Sequence, residues 1–119
     1  MTNPVTWFEI TGPDADALQR FYSDVFGWEF EKAPGPMNYG MVSAGDGGIG
    51  GGVGNAQDGQ GHLTVYIQVD DPQAYLEKVE QNGGKTVMPV TEIPDMVTFA
   101  LFSDPQGHVV GIVKGQSQS

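Results

Sequence analysis

Val5–Trp28, VTWFEITGPDADALQRFYSDVFGW, reads as strand, tight turn, amphipathic helix, then a glycine and the start of a second strand. Val5–Ile10 is rich in β-branched and aromatic residues, which suit a pleated, half-buried surface. Alternation puts Phe8 and Ile10 on one face of that strand and Trp7 and Glu9 on the other. Asp14 has the short acceptor side chain of an N-cap, and Asp16 places negative charge in the first turn, where it complements the helix dipole. Ala17, Leu18, Phe21, Tyr22, Val25 and Phe26 then recur at helical spacing as one apolar stripe. Gly27 supplies the positive φ that ends a helix.

The unit occurs twice. Asp14 placed on Asp71, an offset of 57, brings Phe8 onto Val65, Ile10 onto Ile67, Ala17 onto Ala74 and Gly27 onto Gly84. The second copy is LTVYIQVDDPQAYLEKVEQNGGKTV (Leu63–Val87), with Pro72 at the first helical position. Further along, Gly47-Gly48-Ile49 falls on Gly107-His108-Val109 at an offset of 60, three residues having been gained. Two copies of about sixty residues are too long and too few for a solenoid. They suit a duplicated module that closes on itself.

Around these two units the remaining elements fall into place. Trp28–Lys32, Tyr39–Ala44 and Ile49–Val53 read as strands completing the first copy. Leu63–Val69, a helix over Pro72–Asn82, then Lys85–Thr91, Val97–Ser103 and Val109–Val113 make the second. Asp104-Pro105-Gln106-Gly107 has the residues of a type I turn. Gly54–Gly61 is a polar, glycine-rich linker, and Gly115–Ser119 reads as a frayed tail. The expected organisation is one domain over residues 1–119, with module one at about 4–54, a linker at 55–61 and module two at about 62–114. Gly45–Gly50, GDGGIG, matches the letters of a dinucleotide fingerprint, but more glycine follows where that motif needs an amphipathic helix, so it reads as a hairpin and a thin strand.

Five basic against fifteen acidic side chains give a net charge of −10. Nucleic acid and anionic membranes both want a basic face, so neither is an expected partner. The chain has no cysteine, which excludes disulfides, a thiolate nucleophile and cysteine metal ligation. The N-terminus shows no basic-then-apolar leader and no long apolar run exists, so a cytoplasmic location is expected. No nucleophile elbow, triad spacing or phosphate-binding loop is present.

WFEI before the first helix, FYSDVFGW at its end, Gly83-Gly84 after the second helix and the DPQGH turn together resemble the vicinal oxygen chelate superfamily, which includes glyoxalase I, bleomycin-resistance proteins and extradiol dioxygenases. The likeness runs over about Val5–Val113. It implies an α+β fold of two βαβββ modules forming a cupped mixed sheet with helices on the outer face. Phe8, Ile10, Val65, Ile67, Val110 and Ile112 would then pack against the helices, and Trp7, Glu9, Thr64, Tyr66 and Gly111 would face the cup.

In metal-using members four ligands project into the cup. Carried onto this sequence, those positions are Trp7, Gly51, Thr64 and Gly111, with tryptophan where relatives show histidine and glycine where they show glutamate. None is a normal ligand for a divalent ion, so no metal and no cofactor is expected there. The expected ligand-binding residues are Trp7, Glu9, Thr64, Tyr66, Gln68, Gly51 and Gly111. No catalytic residue is assigned. Glu9 is the candidate base, or an anchor for a cation, or a structural acceptor for Tyr66. Trp7 serves either as a stacking floor or as a plug for the space of the lost ligands. His62 and His108 read as rim or turn histidines, and Met37, Met41, Met88 and Met96 as fillers.

Three functions follow. The first is a metal-free binder of a small apolar or cationic molecule, for which bleomycin-resistance proteins are the precedent in the superfamily. The second is a metal-dependent lyase, isomerase or dioxygenase with a rearranged site of Glu9 and His62 or His108. The third is a non-catalytic subunit with its cup packed shut. The partners expected are a small-molecule ligand and a second copy of the chain, as a homodimer.

Overall fold

The computed structural model describes residues 3–35, 38–45, 47–56, 59–94 and 96–115. Met37 and most of the expected tail lie outside them. The chain forms two compact units, residues 7–64 and residues 65–119, with residues 1–6 joined to the second.

The first unit contains most of β1 (Val5–Gly12), then α1 (Ala15–Phe26), β2 (Glu31–Lys32), β3 (Gly40–Val42) and β4 (Gly50–Asn55). Its strands lie in the order β2-β3-β4-β1, with β4 parallel to β1 and antiparallel to β3. The second unit contains most of β5 (His62–Val69), then α2 (Pro72–Gln81), β6 (Lys85–Ile93), β7 (Val97–Ser103) and β8 (Val109–Lys114), in the order β5-β8-β7-β6. Here β8 is parallel to β5 and antiparallel to β7. Each unit is therefore a βαβββ module of the same topology, an α+β arrangement that the internal repeat foretold.

The repeat extends to the helix caps. Asp14 (φ −137°, ψ 90°) accepts from the Ala17 amide, and Asp71 (φ −141°, ψ 91°) accepts from the Ala74 amide. Gly27 ends α1 at φ 74°, its amide donating to the Ser23 carbonyl. The second strand is shorter than expected, Glu31–Lys32 instead of Trp28–Lys32. Ser23 Oγ donates to the Trp28 carbonyl at 2.8 Å and the indole stacks on Tyr22, so this peptide is held to the end of α1.

In the second unit Val69, Leu76, Ala100 and Ile112 form the core, with Ile67, Tyr75, Val90 and Phe102 packed against it. Period-two alternation thus puts Ile67 and Ile112 on the α2 side, as expected. Val65, two residues before Ile67, remains 37% exposed.

The first unit packs differently from its sequence pattern. Its helix buries Ala15 and Gln19, while Ala17, Phe21, Val25 and Phe26 of the apolar stripe are exposed. Gln19 is buried because its amide donates both to the Val53 carbonyl at 2.8 Å and to the Asn38 carbonyl at 2.9 Å, while Leu18 and Tyr22 of the stripe stay half-buried. Docking Gln19 over β4 turns the aromatic edge of α1 outward, with Phe26 61% exposed. Among the described residues no helix is long and apolar enough to cross a membrane.

Candidate functional site

The pairing of β1 with β4 sets the first site. Trp7 lies opposite Gly50, Phe8 opposite Gly51, and Glu9 opposite Gly52. Partners in a parallel ladder point the same way, so Trp7, Glu9, Gly50 and Gly52 share one face. Phe8 and Gly51 share the other, which faces α1.

This corrects the expectation for Gly51. A Cβ there would lie 2.3 Å from the Phe8 ring, so Gly51 belongs to the helix side. In the second unit Gly111 lies opposite Tyr66, and Tyr66 is the repeat equivalent of Glu9. The counterpart of Gly111 is therefore Gly52, at an offset of 59. The offset of 60, taken from a glycine-rich turn, moved the register by one residue, and one residue flips the face.

Tyr39 occupies the space above Gly52. A Cβ on Gly52 would meet the Tyr39 ring at 2.0 Å. The Trp7 indole donates to the Tyr39 hydroxyl at 3.0 Å, and the phenol hydrogen-bonds the Glu9 carboxylate. Burial pushes the Tyr39 phenol well above its ordinary range; the negative charge of Glu9 pushes the same way, and the Trp7 N–H opposes them. Trp7, Glu9 and Tyr39 thus form one linked group of two aromatic rings and a carboxylate. Sequence reasoning missed Tyr39. The available signal was a tyrosine opening a strand whose neighbour is nearly all glycine.

A raised phenol pKa has a sign. The stability it contributes is fully present below the unfolded phenol value of about 10 and is lost as pH rises above it. In an alkaline ultraviolet titration, Tyr39 should ionise late or only on unfolding. Tyr39→Phe should remove that late component; its persistence in the variant would assign it to another tyrosine.

The second unit repeats the device. A Cβ on Gly111 would meet the Tyr66 ring at 2.3 Å, and Tyr66 makes an edge contact with Phe99 at 6.4 Å. Gln68 shares the Tyr66 face and lies against Gly115. Thr64 is 4% exposed, and its Oγ1 has no hydrogen-bond partner among the described residues. His62 is exposed, its amide donating to Thr11 Oγ1 at 3.2 Å. His108 Nδ1 pairs with Asp104 at 3.0 Å, and Asp104 also accepts from the Gln106 and His108 amides. These three contacts hold the Asp104 carboxyl below its usual range, the His108 amide contributing most. The turn therefore accounts for His108.

The donor set does not fit the metal of metal-using relatives. An indole N–H engaged with Tyr39, two glycines and a lone hydroxyl offer no set of carboxylate or imidazole donors. Among the described residues no group of three His, Cys, Asp or Glu could hold a metal ion.

Residues 7–113 match the family profile described as Glyoxalase-like domain. CFP32 of Mycobacterium tuberculosis (strain CDC 1551 / Oshkosh) is 33% identical over 98% of this chain and 46% of its own length. The anthracycline biosynthesis protein DnrV of Streptomyces peucetius is 31% identical over 85% of this chain and 43% of its own. The chain thus spans about half the length of these two relatives. A glyoxylase-like domain-containing protein of Didymella fabae is 30% identical over 91% of each chain.

Two solved structures share the fold at low identity. The hypothetical protein BH1468 from Bacillus halodurans C-125 has a TM-score of 0.76 at 12% identity, covering 100% of this chain and 99% of that one. A glyoxalase/bleomycin resistance protein/dioxygenase superfamily member from Vibrio splendidus 12B01 has a TM-score of 0.66 at 16% identity, covering 96% and 100%. By this sequence match, which spans both βαβββ modules, the chain belongs to the glyoxalase-like domain family.

Proposed function

We propose that this glyoxalase-like domain binds a small apolar or cationic molecule without a metal, on the face of β1 and β4 that carries Trp7, Glu9 and Tyr39. The observation that carries this reading is the Trp7–Tyr39–Glu9 group at a position where metal-using relatives hold a ligand. Aromatic rings supply contact area, and a carboxylate set among them favours positive charge. The name of DnrV, which places that protein in anthracycline biosynthesis, is compatible with an aromatic ligand.

The test is calorimetric titration of a library of small cationic and neutral aromatic compounds. Trp7→Ala should weaken every hit whatever its charge. Glu9→Gln keeps shape and removes charge, so it should weaken cationic hits alone, by about tenfold for a contact of roughly 1.4 kcal/mol. Hits whose affinity neither variant alters would sink the reading.

A further inference from the structure

The α1-facing side of the first unit carries a second feature, on the opposite face of β1 from Trp7 and Glu9. A cleft of about 360 Å³ opens there, lined by Phe8, Trp28, Glu29, Val42, Ser43 and Ile49, together with two glycines. Its volume lies within the span of about 300–1,000 Å³ typical of small-molecule sites.

Its aromatic wall is held in place before any ligand arrives. Gly27, at φ 74°, turns the chain out of α1 and delivers Trp28. The indole stacks on Tyr22 with centroids 5.2 Å apart and planes at 15°, and the Phe8 ring lies 5.6 Å from it. Gly51 leaves the space that Phe8 fills. Phe26, 61% exposed, sits 5.9 Å from Trp28 and continues the wall outward. A fixed platform of this kind loses little side-chain freedom when a flat molecule lands on it.

The charge of the cleft is one-sided. Among the described residues its lining holds one ionisable side chain, the Glu29 carboxylate. Trp7–Thr64 carries eight acidic side chains against two basic ones, Arg20 and Lys32. Lys32 is engaged with Asp16 at 3.6 Å and with the Asn38 side chain. Aromatic faces attract cations, the carboxylate adds to that attraction, and the surplus of acid opposes an anion. We propose that this cleft is a binding site for a planar aromatic cation, separate from the Trp7–Tyr39–Glu9 face.

The experiment is calorimetric titration of the full chain with proflavine, a planar cation, beside 1-anilinonaphthalene-8-sulfonate, an anionic aromatic. Proflavine should show a binding phase that persists in Glu9→Gln, and the sulfonate should not compete with that phase. Ser43→Trp, an exposed position whose larger side chain fills the cleft, should weaken proflavine about tenfold or more. Glu29→Gln, which keeps the shape, should weaken it about threefold, the scale of an exposed charge contact. Glu77→Gln, on the exposed surface of α2, is the charge control. Four results would overturn the assignment: no proflavine binding, equal binding of the sulfonate, a loss that follows Glu9→Gln instead of Glu29→Gln, or a sedimenting dimer that binds proflavine only after Phe26→Glu separates it. The last would give the cleft to a second copy of the chain.

Discussion

Leu76→Ala should lower the unfolding free energy by about 2–5 kcal/mol, the largest loss expected from a single truncation in this chain. Leu76 is 3% exposed and projects from α2 into the cluster of Val69, Ala100 and Ile112. Shortening it removes buried methyl groups and leaves a cavity whose walls are β7 and β8 side chains held in register by the sheet, which restricts collapse into the space. Urea unfolding of the two proteins gives the difference directly from the shift in midpoint at constant slope. A loss under about 1 kcal/mol would show that α2 can slide to close the gap, and that the core is less constrained than its burial indicates.

Gly52→Ala is the second large effect, and it acts by overpacking. The added methyl would fall 2.0 Å from the Tyr39 ring, which is bound to Trp7 and Glu9 and cannot turn aside without breaking those contacts. The expected cost is about 1–3 kcal/mol. The double variant Gly52→Ala/Tyr39→Ala separates this cause from any intrinsic effect of alanine in β4. If the ring is the obstacle, the two losses combine to less than their sum. Strict additivity would mean that the methyl and the ring never meet.

Much of the architecture was legible in the chain. The paired aspartate caps, the glycine at the end of α1 and the alternation of β5 and β8 are local signals whose physical cause is contained in a few neighbouring residues, and the structure reproduces them. The resemblance to glyoxalase-like proteins held for the same reason, because it rested on those signals. The errors arose where distant parts of the chain decide. Nothing local reveals that Gln19 will reach the Val53 and Asn38 carbonyls, yet with that pair of bonds made Phe21, Val25 and Phe26 lie toward solvent. The face of Gly51 depended on a register across roughly forty residues, and glycine has no side chain from which to read it. Tyr39 was invisible for a related reason, since its importance lies in the emptiness of Gly52.

The side-chain-poor strand β4 also bears on how the first unit assembles. Between Gly50 and Gly54 only Val53 has a side chain, so this stretch brings almost no apolar surface to an early collapse. Its glycines lose the most backbone freedom on being fixed. Its parallel partner β1 lies roughly forty residues earlier, so pairing also closes a long loop. The central strand of this half is therefore the one least able to start its folding: β1, α1 and Tyr39 make the mould, and β4 is cast into it.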